Sequence, residues 1–373
     1  MSGIYIHIPF CKKACHYCNF HFSTNQNSKS AFIKAVCKEL MLRKSEYASE
    51  IQSIYFGGGT PTVLEVSELE VILQTVYKHY KVSDMPEITL EANPDDLDEE
   101  KIKALSNTKI NRLSIGIQSF HESDLAAMNR AHNADEAKKC LEIATTYFDN
   151  ITIDLLFGMP TMSVDQWRQN LQTAFGYGIK HLSCYALTVE PKTALEHFIK
   201  KGSQPPMDDE VTAQHFEVLL EETSAQGLTH YETCSFGHPE YYSKHNTSYW
   251  LGKTYMGVGP SAHSFDGIQR SWNVSNNSKY IKSLEVDIRP FESEVLSLEN
   301  RFNEYIMTGL RTIWGISLDK IEADFGVKIK AQLLENSKKF RTSKTLILED
   351  NHLKVTRTGK FLSDGIASDL FLV

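Results

Sequence analysis

The strongest constraint on the fold is a repeated order in the first half of the chain: a short β-rich run, a loop, then a helical stretch. The runs are Ile4–Pro9, Ser53–Phe56, Glu87–Ala92, Arg112–Gln118, Ile151–Phe157 and His181–Leu187. Helix-like segments Lys29–Tyr47, Ser67–His79, Ala134–Tyr147 and Val164–Tyr177 lie between them. Parallel strands need long crossovers, so strands alternating with helices predict βαβ units and a parallel sheet. Six such units within the first 190 residues predict an open, partial (β/α)6 barrel.

The strands also say what the barrel encloses. Side chains along a strand alternate between faces. Ile4, Ile6 and Ile8 share one face and leave Tyr5 and His7 on the other. Ile88 and Leu90 oppose Glu87, Thr89 and Glu91; Leu113, Ile115 and Ile117 oppose Ser114, Gly116 and Gln118; Ile151, Ile153 and Leu155 oppose Thr152 and Asp154. The apolar faces pack on helices, and the other faces line a polar, partly ionisable interior. A closed barrel core is normally filled by branched aliphatics. A polar interior therefore implies solvent or a ligand, because unpartnered buried polar groups are costly.

Beyond the sixth unit, Pro191 to Tyr242 reads as mostly helical, followed by a Gly-, Ser- and aromatic-rich stretch, Lys244–Phe265. The character changes near residue 276. Segments Glu299–Arg311, Ser317–Phe325, Lys328–Phe340 and Thr358–Leu370 read as helices, and Thr345–Glu349 with Leu353–Thr356 as a hairpin. The chain is thus expected to divide into residues 1–275, a core barrel with a helical extension, and 276–373, a small mostly helical, winged-helix-like domain. With 39 basic against 47 acidic residues, and no basic stripe, nucleic acid is not an expected partner. The sequence has no run of 18 apolar residues and no secretion signal at its start, which points to the cytoplasm.

Seven cysteines, an odd number in a long chain, argue for metal or catalytic use over a disulfide framework. Three of them form Cys11-x-x-x-Cys15-x-x-Cys18 on the loop after the first strand, close enough to converge on one metal centre. Thiolates hold iron–sulfur clusters, and three of them leave one iron of a four-iron cube open. Zinc is the rival, with His7, His16 or His21 as a fourth ligand. The second strand ends in Phe56-Gly57-Gly58-Gly59-Thr60-Pro61. Without Cβ atoms such a turn lets backbone N–H and C=O groups approach a ligand, and barrel sites are built at these strand ends.

The cysteine loop together with GGGTPT resembles a radical S-adenosylmethionine (SAM) enzyme. The strings IYIHIPFCKKACHYCNF, LEANP, RLSIGIQSF, DLLFGMP, HNTSYW, YMGVGPSAHSF and EYIMTGLRT resemble the oxygen-independent coproporphyrinogen III oxidase family. They are most similar to its HemW-like haem chaperone branch. The resemblance implies a TIM-like radical SAM barrel, with Cys11, Cys15 and Cys18 holding a [4Fe–4S] cluster whose open iron takes SAM. It places Tyr5, Gly58, Gly59, Thr60, Glu91, Gln118, Arg130, Asp154 and Ala186 around SAM. Tyr5, Glu91, Gln118 and Asp154 are also residues that strand alternation turns inward. Phe10, Tyr17, Phe20 and Phe22 are expected to shield the cluster from water.

The oxidase branch has a further cysteine, in the pattern CxxxCxxCxC, where this chain has Phe20. The difference favours a carrier that binds haem and passes it on. The alternative is an oxidase that makes protoporphyrinogen IX by 5′-deoxyadenosyl radical chemistry, and a zinc-stabilised interaction module is a third reading. His245, Asn246 and Trp250 of HNTSYW are the candidate haem contacts, since imidazole ligates haem iron and aromatics stack on porphyrins. His263 is expected to face SAM or the cluster. The implied partners are haem or a porphyrinogen, an electron donor for the cluster, and a haem-accepting protein, which a membrane-associated acceptor would suit. A homodimer is compatible with the resemblance.

Overall fold

The computed structural model describes residues 2–47 and 49–372. Six parallel strands form its centre: β1 (Ser2–Ile8), β2 (Ile51–Gly58), β3 (Val82–Ala92), β4 (Arg112–Gln118), β5 (Ile151–Phe157) and β6 (His181–Ala186). They are joined by α1 (Lys29–Leu42), α2 (Val66–His79), α3 (Glu99–Ser106), α4 (Glu122–Ala127) with α5 (Ala134–Tyr147), and α6 (Val164–Gly176). The starts of α5 and α6 follow from local chemistry. Asn133 with Glu136, and Ser163 with Gln166, satisfy each other's backbone N–H groups in capping boxes. The first helix ends at Leu42, short of the expected Tyr47. The next residue, Arg43, is drawn into a buried ion pair with Glu39 at 2.9 Å.

The strand faces divide as the alternation predicts. Ile4, Ile6, Ile8, Ile88, Leu90, Leu113, Ile115, Ile117, Ile153 and Leu155 are fully buried in one hydrophobic core. The opposite faces stack in register. Tyr5, Tyr55, Thr89 and Arg112 form one row across β1–β4, and Glu91, Ser114, Thr152 and His181 form another across β3–β6.

Beyond β6 the structure is less helical than the sequence suggests. After α7 (Ala194–Lys200) and α8 (Asp209–Ala225), a short hairpin, β7 (Thr229–Glu232) and β8 (Ser235–Gly237), pairs antiparallel with β6. The aromatic stretch forms α9 (Lys244–Trp250), β9 (Tyr255–Val258) and β10 (His263–Phe265). With β11 (Gln269–Asn273), α10 (Asn277–Glu285) and β12 (Phe291–Val295), these extend the sheet past β1 to twelve strands, β12-β11-β10-β9-β1-β2-β3-β4-β5-β6-β8-β7. The barrel is therefore open. Among the described residues, no helix is long and apolar enough to cross a membrane.

A second core holds Phe302, Ile306, Leu310, Ile316, Ile321, Leu333, Leu346, Leu353 and Ile366. It joins α11 (Leu298–Leu310), β13 (Ile316–Ser317), α12 (Leu318–Phe325), α13 (Val327–Asn336), α14 (Lys338–Thr342), β14 (Leu346–Glu349), β15 (His352–Val355) and α15 (Ser363–Asp369). Helices with a three-stranded sheet, β13-β15-β14, give the winged-helix-like arrangement. Tyr280, Ile281 and Leu284 of α10 pack in the first core, and β12 belongs to the large sheet. By packing, residues 276–295 go with the barrel.

Candidate functional site

The cysteine loop lies at the C-terminal ends of the parallel strands, pinned on three sides by backbone bonds. Gly59 N–H donates to Ile8 O at 2.9 Å and Thr60 N–H to Phe10 O at 2.7 Å. Cys11 N–H reaches Ser23 O at 3.1 Å, and His16 N–H reaches Met128 O at 3.1 Å. The glycine turn is tight because it must be. Gly58 has φ +113°, and a Cβ there would stand 2.6 Å from the His7 ring. A Cβ on Gly59 would stand 2.6 Å from Phe10 O and 3.0 Å from Cys11 Sγ.

A cavity of about 470 Å³ opens above these loops. Cys11, Cys15 and Cys18 line it together with Gly58, Gly59, Thr60, Glu91, Gln118, Arg130, Asp154 and Ala186. Residues from six separate strand ends, up to 175 positions apart in sequence, thus meet at one place. Tyr5 does not line this cavity. Its ring stacks on Tyr55 with centroids 6.1 Å apart and borders a neighbouring cavity instead.

A hydrogen-bonded chain ties two of the cysteines together. Arg130 donates to Cys15 Sγ at 3.3 Å, to Gly116 O at 2.7 Å and to Asn93 Oδ1 at 2.6 Å. Asn93 donates to Thr60 Oγ1 at 3.0 Å, and Thr60 donates to Cys11 Sγ at 3.6 Å. Burial pushes the Cys11 thiol up to about 11, against the bond from Thr60. The Cys18 thiol is also raised, again chiefly by burial.

The two carboxylates are held near neutrality. Glu91 accepts from Tyr55 O–H at 2.7 Å and from Gly58 N–H at 3.1 Å, so it also fixes the glycine turn. Burial raises its pKa to about 7 despite these bonds. Burial likewise raises Asp154 to about 6, with the Ser183 hydroxyl and the charges of Arg112 and Arg130 opposing. Gln118 occupies the left-handed region at φ +67°, an uncommon state for a residue with a side chain, and lines the cavity from there. Beneath lies Arg112, fully buried, which donates to Thr152 Oγ1 and whose Nε has no partner among the described residues.

These residues fit a cluster better than a single zinc ion. None of the histidines suggested as a fourth ligand lines the cavity. His7 is committed to Tyr5 O–H and His21 O, and His16 Nδ1 lies 3.0 Å from Ala127 O. Among the described residues, no three His, Cys, Asp or Glu side chains converge on a single-ion site. Thiolates on separate irons of a cube need no such convergence.

Other expectations require correction. His245 is 1 % exposed, and both its ring nitrogens are engaged, Nδ1 with Ser53 Oγ at 2.8 Å and Nε2 with Tyr249 O–H at 2.6 Å. It therefore presents no free lone pair to a haem. Trp250 lies beneath the Arg311 guanidinium at 5.8 Å, and neither it nor Asn246 lines a cavity described here. His263 borders the neighbouring cavity and stacks on Trp272. Phe10 is fully buried and Tyr17 half-buried, as a shield requires, but Phe20 is 69 % exposed. Asn93, Tyr55 and Arg112 were not singled out from sequence. LEANP contains Asn93, but only the fold shows it bridging Thr60 and Arg130.

Comparison with known proteins agrees with this geometry. The radical SAM superfamily matches residues 5–186, and the HemN C-terminal domain matches residues 296–362. The heme chaperone HemW of Bacillus subtilis (strain 168) is 30 % identical over 373 residues, covering 98 % of each chain. The heme chaperone HemW of Mycobacterium tuberculosis (strain H37Rv) is 29 % identical, covering 99 % of this chain and 94 % of its own. The mitochondrial radical S-adenosyl methionine domain-containing protein 1 of Danio rerio is 30 % identical, covering 100 % and 87 %. Among solved structures, coproporphyrinogen III oxidase (HemN) from Escherichia coli superposes with a TM-score of 0.86 at 19 % identity, covering 99 % of this chain and 90 % of its own. A three-cysteine loop over an open barrel, a HemN-type C-terminal domain and full-length similarity to HemW proteins lead to one conclusion: the chain belongs to the radical SAM superfamily, in its HemN/HemW family.

Proposed function

We propose that this chain is a haem chaperone: it holds a [4Fe–4S] cluster on Cys11, Cys15 and Cys18, binds SAM beside it, and takes up haem for transfer to an acceptor protein. The observation that carries the reading is the single cavity shared by the three cysteines, the Gly58–Thr60 backbone, Glu91, Gln118, Arg130 and Asp154. Full-length similarity to HemW proteins supports the haem part.

When bound, the cluster supplies one-electron reducing chemistry at an iron open to SAM. The chain's own residues position and insulate. Arg130 is a charged donor to the Cys15 sulfur and so positions it. The Gly58–Thr60 turn brings backbone polar groups to the SAM methionyl end. Glu91 supplies a carboxylate acceptor for amino or hydroxyl hydrogens, and Gln118 and Asp154 extend the polar wall. Phe20, where the oxidase pattern has cysteine, gives the cavity rim an apolar face.

Titration of the anaerobically reconstituted protein with haemin tests the reading. A saturable Soret shift at one haem per chain, followed by transfer to an apo-acceptor, is expected. Absence of saturable binding overturns it, and sustained formation of vinyl product from coproporphyrinogen III replaces it with the oxidase reading.

A further inference from the structure

A second cavity, of about 690 Å³, lies beside the cysteine cavity and is walled by Tyr5, His7, His21, Tyr249, Tyr255 and His263. Its size falls within the range of small-molecule sites, about 300–1,000 Å³. Asn19 and Phe20 line both cavities, so the loop that follows Cys18 is their common wall. None of its lining residues is acidic.

One imidazole in this cavity is arranged as a ligand. His21 Nε2 lies 2.7 Å from Asn277 Oδ1. An amide oxygen only accepts, so Nε2 carries the proton and Nδ1 keeps the lone pair. Among the described residues Nδ1 has no hydrogen-bond partner. Metal-binding histidines are oriented in this way, with the second nitrogen tied to a protein acceptor. The His21 backbone is fixed as well, because buried His7 donates from Nε2 to His21 O at 2.9 Å.

The other imidazoles differ: His263 stacks on Trp272 and, among the described residues, no hydrogen bond orients its ring nitrogens. His7 accepts from Tyr5 O–H through Nδ1 at 3.1 Å, so both its nitrogens are used. His245 stands behind the wall and fixes the Tyr249 hydroxyl, while Tyr249 packs edge-on against Tyr255 with centroids 4.4 Å apart. The cavity that His21 lines is walled also by fixed tyrosine rings and the exposed ring of Phe20. Flat aromatic walls with an oriented imidazole suit a planar metal chelate.

Resting on the haem chaperone reading, we propose that this cavity seats the iron tetrapyrrole, with His21 Nδ1 as the axial ligand and Asn277 as the residue that positions it. The cargo then sits next to the cluster, separated from it by Asn19 and Phe20.

The test is haemin titration of the full-length, cluster-loaded protein and three variants, followed in the Soret region. His21→Gly is expected to weaken binding at least about tenfold, and added imidazole to restore the original band. Asn277→Leu, on a helix away from the cysteine loop, should weaken binding about tenfold with iron and sulfide content unchanged. His352→Ala, on the C-terminal hairpin and lining neither cavity, should bind as the parent protein does. If the parent binds haemin and His21→Gly matches it in affinity and spectrum, the site is overturned while the chaperone reading stands. An equal loss in His352→Ala also overturns the His21 assignment. If the parent protein binds no haemin, the chaperone reading itself fails.

Discussion

The Arg130 guanidinium stands 3.3 Å from the Cys15 sulfur, although 115 residues separate them. The same side chain spans Asn93 and Gly116, so one buried cation joins the cysteine loop to the ends of two strands. A charged hydrogen bond of this kind is worth about 1.5–3 kcal/mol. Arg130→Met is expected to lower SAM affinity at least about tenfold, as measured calorimetrically on reconstituted protein, since about 1.4 kcal/mol is a factor of ten. Unchanged affinity would remove Arg130 from the site.

Gly58 tests the turn. At φ +113°, with the His7 ring 2.6 Å from any added Cβ, Gly58→Ala combines backbone strain with a clash. The expected loss is at least about 2 kcal/mol in denaturant unfolding, with weakened SAM binding. Gly365, where an added Cβ meets nothing within 4 Å, is the control, and Gly365→Ala should leave SAM binding unaltered.

SAM binding should depend on pH through Glu91. Its carboxyl titrates at about 7 in the free protein, and only the carboxylate accepts two hydrogen bonds in full. Affinity is therefore highest above pH 7 and falls as pH drops through that value, by up to about tenfold per unit. Asp154, at about 6, adds a second decline roughly one unit lower. Glu91→Gln should remove the upper decline and leave the lower one, read from binding isotherms between pH 5.5 and 8.5, a range of about three units. A parent protein whose affinity is flat across this range would contradict the assignment.

His245 is a structural residue by its contacts. Its ring is buried, bonded at both nitrogens and stacked 5.0 Å from Tyr55. His245→Ala should cost about 3 kcal/mol of stability. Folded His245→Gln should keep haemin affinity within about twofold, against the at least tenfold loss expected for His21→Gly.

Much of this was legible in the sequence where periodicity was strong. The alternating isoleucines of β1, β4 and β5 mark both the strands and their inward faces, and the cysteine loop and glycine turn are contiguous motifs. Strand β12, Phe-Glu-Ser-Glu-Val, could not be read because every residue in it is exposed and it pairs on one side only. The hairpin β7–β8 is too short to carry a period. Function within the site was hidden where it depends on distant partners. The HNTSYW string has the residue types of a haem contact, but the Ser53 hydroxyl that occupies His245 lies 192 residues earlier. Asn93 and Tyr55 gain their roles only from strand register. The ligand-like state of His21 depends on Asn277, 256 positions away.

Iron and acid-labile sulfide analysis of air-free protein, with its visible spectrum, tests the central claim most directly. The account predicts a brown protein with about four irons and four sulfides per chain, lost on replacing Cys11, Cys15 or Cys18 by alanine and retained in Cys37→Ala. Stoichiometric zinc in a colourless protein, or a cluster that survives loss of those three cysteines, would contradict it.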